Sequence, residues 1–437
     1  MPIADLTTLQ ARFRELHCTQ VFGKELSEND NSKQQIYLGK SFTALNILPY
    51  GQVTAVAGLK RPNFKATVHL RWIDEARDAV APGARLILYP DYPEVRLSGF
   101  LRGCAPAPSA ALQPIPRAKR RFNNGPDGRV LFLGITPERV ICAYLAEANS
   151  AISREFIRRA PTLPELGVFR ELTRDAGNGA RDQLIARLSR IHTGGWHPSC
   201  RMHADGVIRP YAARNGGGYT LEALCGVLPN ARAEPDLLGW ELKGYSADRI
   251  TLMTPEPDVG FYAAQGLMAF VRRYGRLRGD DSMYFTGSHK FGEPCASTGL
   301  TLRLRGYEAA TDQITDVAGG IELINERGEL AAGWSFGRLI EHWGRKHALA
   351  AYVRFASRLL PALEYHYRSP ALFGEGTEFV RLLAALAARR VIFDPGSKIE
   401  ALSTRPRVKA RSQFRIQVRD LAQLYGAFNE VDLRGAP

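Results

Sequence analysis

The chain has 437 residues, 45% hydrophobic, 9% aromatic and 23% charged, which fits two or three folded domains and excludes a disordered or fibrous protein. No stretch approaches the ~18 apolar residues of a spanning helix, and MPIADLTTLQARFREL lacks the apolar core of a secretory signal, so a cytoplasmic protein with no membrane partner is expected. Its 58 Lys and Arg against 44 Asp and Glu leave +14, a balance that favours a polyanionic partner, because basic side chains at phosphates release condensed counterions. Six scattered cysteines without a CxxC pair read as reduced thiols rather than a disulfide frame.

The first hundred residues are expected to be β-rich. QQIYL, ATVHLRW, ARLILY and EVRLSGF are β-prone and separated by the turn formers PYG, KRPN, APG and YPDYP, a pattern of a small barrel or sandwich. The segment APAPSAALQPIPRAKRRFNNGPDG reads as an exposed, basic loop or arm. RVLFLGITPERVICAYL is again strand-like and SAISREFIRRAP helical, and the polar, glycine-bearing TRDAGNGARD (173–182) is a candidate boundary. The second half reads as mixed α/β. TLEALCGVL is a predicted helix with Leu221, Leu224, Cys225 and Leu228 at core spacing, and WELKGYS and DRITLMT are predicted strands of one hairpin. FGRLIEHWGRKHALAAYVRFASRLL and EFVRLLAALAARR are predicted amphipathic helices, and the basic tail DPGSKIEALSTRPRVKARSQFRIQVRD is partly strand-like. No internal repeat is visible.

One constellation carries chemistry. Pro235-Asp236 is followed by Glu241, Leu242 and Lys243. On a strand, Glu241 and Lys243 share a face while Leu242 points into the core, and Asp236 at the preceding turn can bring its carboxylate to the same place. Two carboxylates suit a hard cation such as Mg²⁺, and the amine of Lys243 suits a water or a charged phosphoryl group. Glu222, early in the predicted helix, could complete the metal's outer shell or a second position. Pro-Asp also occurs at 90–91, 126–127 and 257–258, where no Glu-x-Lys follows. A surface hairpin with an ordinary cross-strand ion pair is the plain alternative.

The stretch NGGGYTLEALCGVLPNARAEPDLLGWELKGYS resembles the MvaI/BcnI-type restriction endonucleases, relatives of the MutH nicking enzyme within the PD-(D/E)xK nucleases. The glycine turn, Thr-Leu-Glu, Pro-Asp, the glycine and Glu-Leu-Lys occur in that order, and the similarity extends from about 180 to the C-terminus through LMTPEPDVG, IEHWGRKHALAAYV and RSQFRI. The resemblance implies a catalytic set of Glu222, Asp236, Glu241 and Lys243, with Asp236, Glu241 and Glu222 holding one or two Mg²⁺ ions. It also implies base reading by C-terminal loops. Arg405, Arg407, Lys409, Arg411, Gln413 and Arg415 recur at every second position, so an extended segment would present them on one face toward guanine edges. Asp394 could accept from a cytosine amino group, and His289 in GSHKFG is a further candidate base reader.

VFGKELSENDNSKQQIYLGKS resembles the start of the EcoRII-type effector-binding domain, a DNA-binding pseudobarrel whose two arms grip the duplex. Carried over, one arm holds Asn29, Asn31, Lys33, Gln34 and Gln35, and the other Glu94 and Arg96. The expectation is an effector DNA-binding pseudobarrel over 1–170 joined to an α/β MutH-like nuclease domain over 180–437. The resemblance implies a bacterial Type IIE enzyme that binds two copies of its double-stranded site at once, with CCWGG the implied target and a monomer in solution. A repair nickase and a non-catalytic DNA-binding regulator stay open. Two other signals are set aside: LGKS at 38–41 lacks the upstream glycine of a phosphate-binding loop, and His192, His197, Cys200 and His203 offer a single thiolate for zinc.

Overall fold

The computed structural model describes residues 3–28, 35–104, 107–113, 116–120, 125–172, 179–213, 215–228, 235–279, 281–359 and 361–435, apart from the side chains of Arg117 and Arg345. The chain divides into two compact units, Met1–Gly177 and Asn178–Pro437.

In the first unit the helix Leu6–Glu15 is capped by Asp5, whose Oδ1 accepts the Thr8 amide at 2.7 Å, and it buries Leu6, Leu9 and Phe13. A seven-stranded sheet runs in the order Glu165–Leu166, Phe169–Glu171, Gln20–Ser27, Pro126–Ile135, Val140–Ala146, His69–Ile73 and Asp78–Val80. A five-stranded antiparallel sheet runs Gln35–Lys40, Glu94–Ser98, Arg85–Tyr89, Asn63–Thr67 and Val53–Val56. The strands expected in this region are present, but both sheets are open paths with free edges, and among the described residues neither closes into a barrel. The helix Ala151–Arg159 lays Phe156 edge-on to Phe132, where only a glycine at position 23 leaves room for the ring.

In the second unit a six-stranded sheet carries the site. Its path is His197–Pro198, Leu363–Tyr367, Leu349–Leu359, Ala371–Glu375 and Ala427–Val431, with Glu241–Tyr245 lying parallel to Leu349–Leu359. Leu221, Trp240, Leu242, Ala351, Val353, Tyr367 and Phe373 share its core. Smaller sheets hold Arg249–Met253 with Phe414–Gln417 and Val391–Phe393, and Ser282–Thr286 with Gly396–Glu400 and Arg407–Lys409.

Two expectations are corrected. Residues 336–360 form a helix only over Phe336–Trp343; Gly344 ends it, a 3₁₀ turn follows at Arg345–His347, and Leu349–Leu359 is a strand. Ala350, Ala351, Tyr352 and Val353 are all buried, as a central strand covered on both faces requires, and a short continuous apolar run carries no period that separates strand from helix. The two strands 241–245 and 249–253 exist but do not form a hairpin: the first pairs with Leu349–Leu359 and the second antiparallel with Phe414–Gln417. A turn between two strand-like runs reads as a hairpin locally, whereas here each run finds its partner over 100 residues away.

The predicted helix around Glu222 spans Gly216–Leu224. It packs so closely that a Cβ on Gly217 would lie 2.3 Å from the Phe355 ring and one on Gly216 2.6 Å from Ser199 Oγ. Overpacking of this kind costs ~1–3 kcal/mol. Gly217→Val is therefore expected to lower the urea midpoint of the second unit with an unchanged slope, and an unaltered midpoint would mean that the helix does not press on Phe355.

Candidate active site

Glu241 and Lys243 sit on the strand Glu241–Tyr245, opposite Ala350 and Tyr352 of the parallel neighbour. Leu242 points away into the core at 4% exposed, and Glu241 is itself buried at 2%. Asp236 reaches them through a tight turn. Leu237 and Trp240 exchange both backbone hydrogen bonds, at 3.0 and 2.8 Å, and the residues between them, Leu238 and Gly239, have φ of 53° and 84°. Positive φ at both central positions is the type I′ pattern that matches strand twist. Gly239 adopts it freely, while Leu238 does so at ~1–2 kcal/mol. Continuing the pairing one step outward brings Asp236 level with Glu241, and Asp236 Oδ2 accepts a 2.8 Å hydrogen bond from the Leu242 amide. The five-residue spacing from Asp236 to Glu241 is the span of that turn.

Lys243 Nζ donates to Glu241 Oε1 at 2.6 Å, and Lys346 Nζ lies 3.5 Å from the same oxygen. Glu241 Oε2 is buried without a hydrogen-bond partner. Burial pushes the Glu241 carboxyl up, but the two ammonium groups outweigh it and hold the group below its ordinary value. Burial also works against the charge on Lys243, yet Glu241 overcomes it and keeps the amine protonated above its ordinary value. Asp236 has less help. Burial, then the Glu241 charge, raise it to about 7 against the Leu242 amide and the two lysines. Glu222 is raised by burial and then by Glu241. His347 is fully buried and stacks on Trp343 at 4.4 Å, with neither ring nitrogen bonded; burial lowers it to about 3.

These shifts set a pH dependence for the metal-free protein. The folded value of Asp236 lies above its value in the open chain, so unfolding releases a proton between about 4 and 7, and its contribution to stability falls as pH rises through that window. Asp236→Asn removes the penalty. Urea unfolding is expected to show the variant more stable than wild type at pH 8 by on the order of 2 kcal/mol, the gap closing toward pH 4. A gap that does not change with pH would remove the assigned repulsion.

Among the described residues no three His, Cys, Asp or Glu side chains stand at metal-holding distances, because Glu241 Oε1 is turned to lysine and Asp236 Oδ2 to a backbone amide. The pair Asp236 and Glu241 does fit a hard cation. It combines an unpartnered buried oxygen with a second carboxylate that burial and the Glu241 charge make reluctant to ionise.

The other anticipated residues fall in several places. His289 is fully buried, with ring nitrogens facing Phe393 O at 3.3 Å and Thr298 Oγ1 at 2.8 Å, so it has no free edge for a base and the expectation of base reading is corrected to a structural role. The alternating basic row is divided. Arg405, Arg407, Lys409 and Arg411 are exposed, with Arg407 and Lys409 on the strand paired to Gly396–Glu400. Arg415 stands in another sheet and grips Asp394 at 2.9 Å, an acid that also meets Arg249 at 3.3 Å. In the first unit Arg96 bonds Glu94 at 2.9 Å and Gln35 at 3.3 Å, joining the adjacent strands. Asn29, Asn31, Lys33 and Gln34 lie outside the described residues. Sequence reasoning missed Lys346. It sits in what reads as mid-helix, more than 100 residues from Glu241, and no local spacing could have flagged it.

The family model described as the MvaI/BcnI restriction endonuclease family matches residues 185–425, more than half of the chain. No curated protein matches. Among solved structures, the restriction endonuclease MvaI–cognate DNA substrate complex is 18% identical, covering 58% of this chain and 99% of that one with a TM-score of 0.45. The same enzyme in the absence of DNA is 16% identical, covering 59% and 100% with a TM-score of 0.32. No helix among the described residues is long and apolar enough to cross a membrane. With Asp236, Glu241 and Lys243 gathered on one turn and strand inside the matched segment, the chain belongs to the MvaI/BcnI restriction endonuclease family and is a DNA nuclease.

Proposed function

We propose that the protein is a Mg²⁺-dependent Type II restriction endonuclease of the Type IIE kind, hydrolysing double-stranded DNA to 5′-phosphate and 3′-hydroxyl ends. One observation carries this reading: two carboxylates level across a type I′ turn, with a protonated lysine 2.6 Å from one of them. Asp236 and Glu241 would hold the cation, with Glu222 in its outer shell. Bound there, Mg²⁺ lowers the pKa of a coordinated water and neutralises charge on the scissile phosphate. The residues of the chain do the rest. Lys243, kept protonated by Glu241, enters as a hydrogen-bond donor to the developing phosphoryl charge rather than as a base. The short strand holds that ammonium in place beforehand, so no rearrangement cost falls on the chemical step.

The reading extends to the target and the first unit. The family resemblance supports CCWGG, whose central A·T pair breaks strict two-fold symmetry and suits a monomer cutting the strands in turn. The exposed Arg405, Arg407, Lys409 and Arg411 are the side chains to read it, together with the Arg415–Asp394 pair. Residues 1–170 are the effector DNA-binding domain, a pseudobarrel whose Gln35, Glu94 and Arg96 cluster grips a second copy of the site and stimulates cleavage.

Plasmid incubated with the protein and Mg²⁺, followed by sequencing of the cut ends, tests the whole reading. Linear product cut at CCWGG is expected; arrest at open circles would indicate a nickase, and gel shifts without breakage a regulator. Lys243→Ala is expected to cut at least ~100-fold more slowly while binding the site unchanged in Ca²⁺, and wild-type cleavage by that variant would remove the lysine's role. Removing residues 1–170 is expected to leave a slower enzyme that still cuts at its site. Indiscriminate cutting by the shortened chain would place recognition in the first unit.

A further inference from the structure

The fold does not explain Leu238. It takes the first central position of the type I′ turn at φ 53°, a left-handed conformation that glycine or asparagine adopts more cheaply. Among the described non-glycine residues with positive φ, it alone carries a large aliphatic side chain. Packing gives little in return. Leu238 is 40% exposed, whereas Leu237 and Trp240 beside it supply the anchorage by packing in the sheet core. A leucine here therefore carries backbone strain with little burial to offset it, and strain of this kind concentrates where a ligand is held.

Its place says what that apolar surface can meet. Across the turn the pair Leu237 and Trp240 faces the core, so the next pair outward, Asp236 and Glu241, faces the opposite side, where the nuclease reading puts the phosphodiester. Leu238 stands two residues from Asp236, a reach of ~7 Å along an extended chain. Phosphate oxygens are charged, and base edges are read largely through donors and acceptors. The apolar group attached directly to a phosphodiester is the deoxyribose. We propose that Leu238 is a substrate-contacting residue, whose side chain packs on the C–H face of the deoxyribose next to the scissile phosphate and so seats the strand at the two carboxylates. The inference rests on the nuclease reading above.

The test sets stability against binding in the full chain. Leu238→Asn keeps the turn and relaxes it, whereas Leu238→Met keeps the apolar surface. In metal-free urea unfolding, Leu238→Asn is expected to show a higher midpoint than wild type with an unchanged slope. Its Mg²⁺ affinity without DNA, measured by calorimetry, should equal that of wild type, because the carboxylates keep their places. In Ca²⁺, a duplex spanning the mapped cut position should bind Leu238→Asn roughly tenfold more weakly, with the same dependence of log Kd on log salt, since an apolar contact releases no counterions. Leu238→Met should bind within about twofold of wild type. Wild-type affinity in Leu238→Asn would overturn the proposal. So would an unraised urea midpoint, a changed Mg²⁺ affinity or a shallower salt dependence, each of which would leave the turn as a support for charged groups alone. Should Leu238→Asn lose its fold by circular dichroism, Leu238→Gly replaces it with the same outcomes. A wild-type protein that neither binds nor cuts DNA overturns the nuclease reading itself, whereas cutting with equal affinities overturns only the role of Leu238.

Discussion

A carboxylate taken out of water has to be compensated, and much of the second unit is arranged around the compensation of Glu241. Among the described residues its strand pairs with Leu349–Leu359 alone, at an edge of the sheet, and yet the carboxylate is buried at 2% exposed. Lys243 follows from the strand period alone. Lys346 requires that the helix Phe336–Trp343 stop at Gly344 and that the next turn lead back into the neighbouring strand. On the neighbouring strand, level with Lys243, Tyr352 bonds Tyr425 hydroxyl to hydroxyl at 2.7 Å, and both phenols are held protonated by burial.

Asp236 depends on a different constraint. The type I′ turn at Leu238-Gly239 is local, and it works because Trp240 anchors it, its ring 5.0 Å from Phe373 in the sheet core. The anchored turn sets the two carboxylates level with each other, and the Leu242 amide holds one of them in orientation. Close approach under burial raises the energy of the ionised pair, which is the condition under which a divalent cation binds with most gain. The strain of the metal-free pair and its fitness for a cation are the same physical fact.

Basic side chains elsewhere follow a related rule. Arg415 and Arg249 converge on Asp394, and Arg96 is fixed between Glu94 and Gln35. An arginine held by an acid loses fewer rotamers when a partner arrives, and its fork keeps donors to spare. Among the described residues, Arg405, Arg407 and Lys409 carry no such brace, and they stand open to solvent.

The amino-acid sequence by itself determined what short-range periodicity can encode. Alternation along Glu-Leu-Lys put Glu241 and Lys243 on one face, the five-residue interval matched a tight turn that returns Asp236, and the β-prone runs of the first hundred residues became strands. Where a segment's partner lies far along the chain, the sequence was silent or misleading. Residues 349–359 carry an apolar run that suits helix or strand equally, and only the sheet on both sides made it a strand. The 249–253 run found its pair at 414–417 instead of next door, His289 was drawn into an aromatic core, and Lys346 reached Glu241 through a chain reversal at Gly344. Local geometry needs only neighbouring residues to agree, whereas burial and long-range pairing are settled by which distant surfaces exclude water together, and the tertiary structure alone decides that.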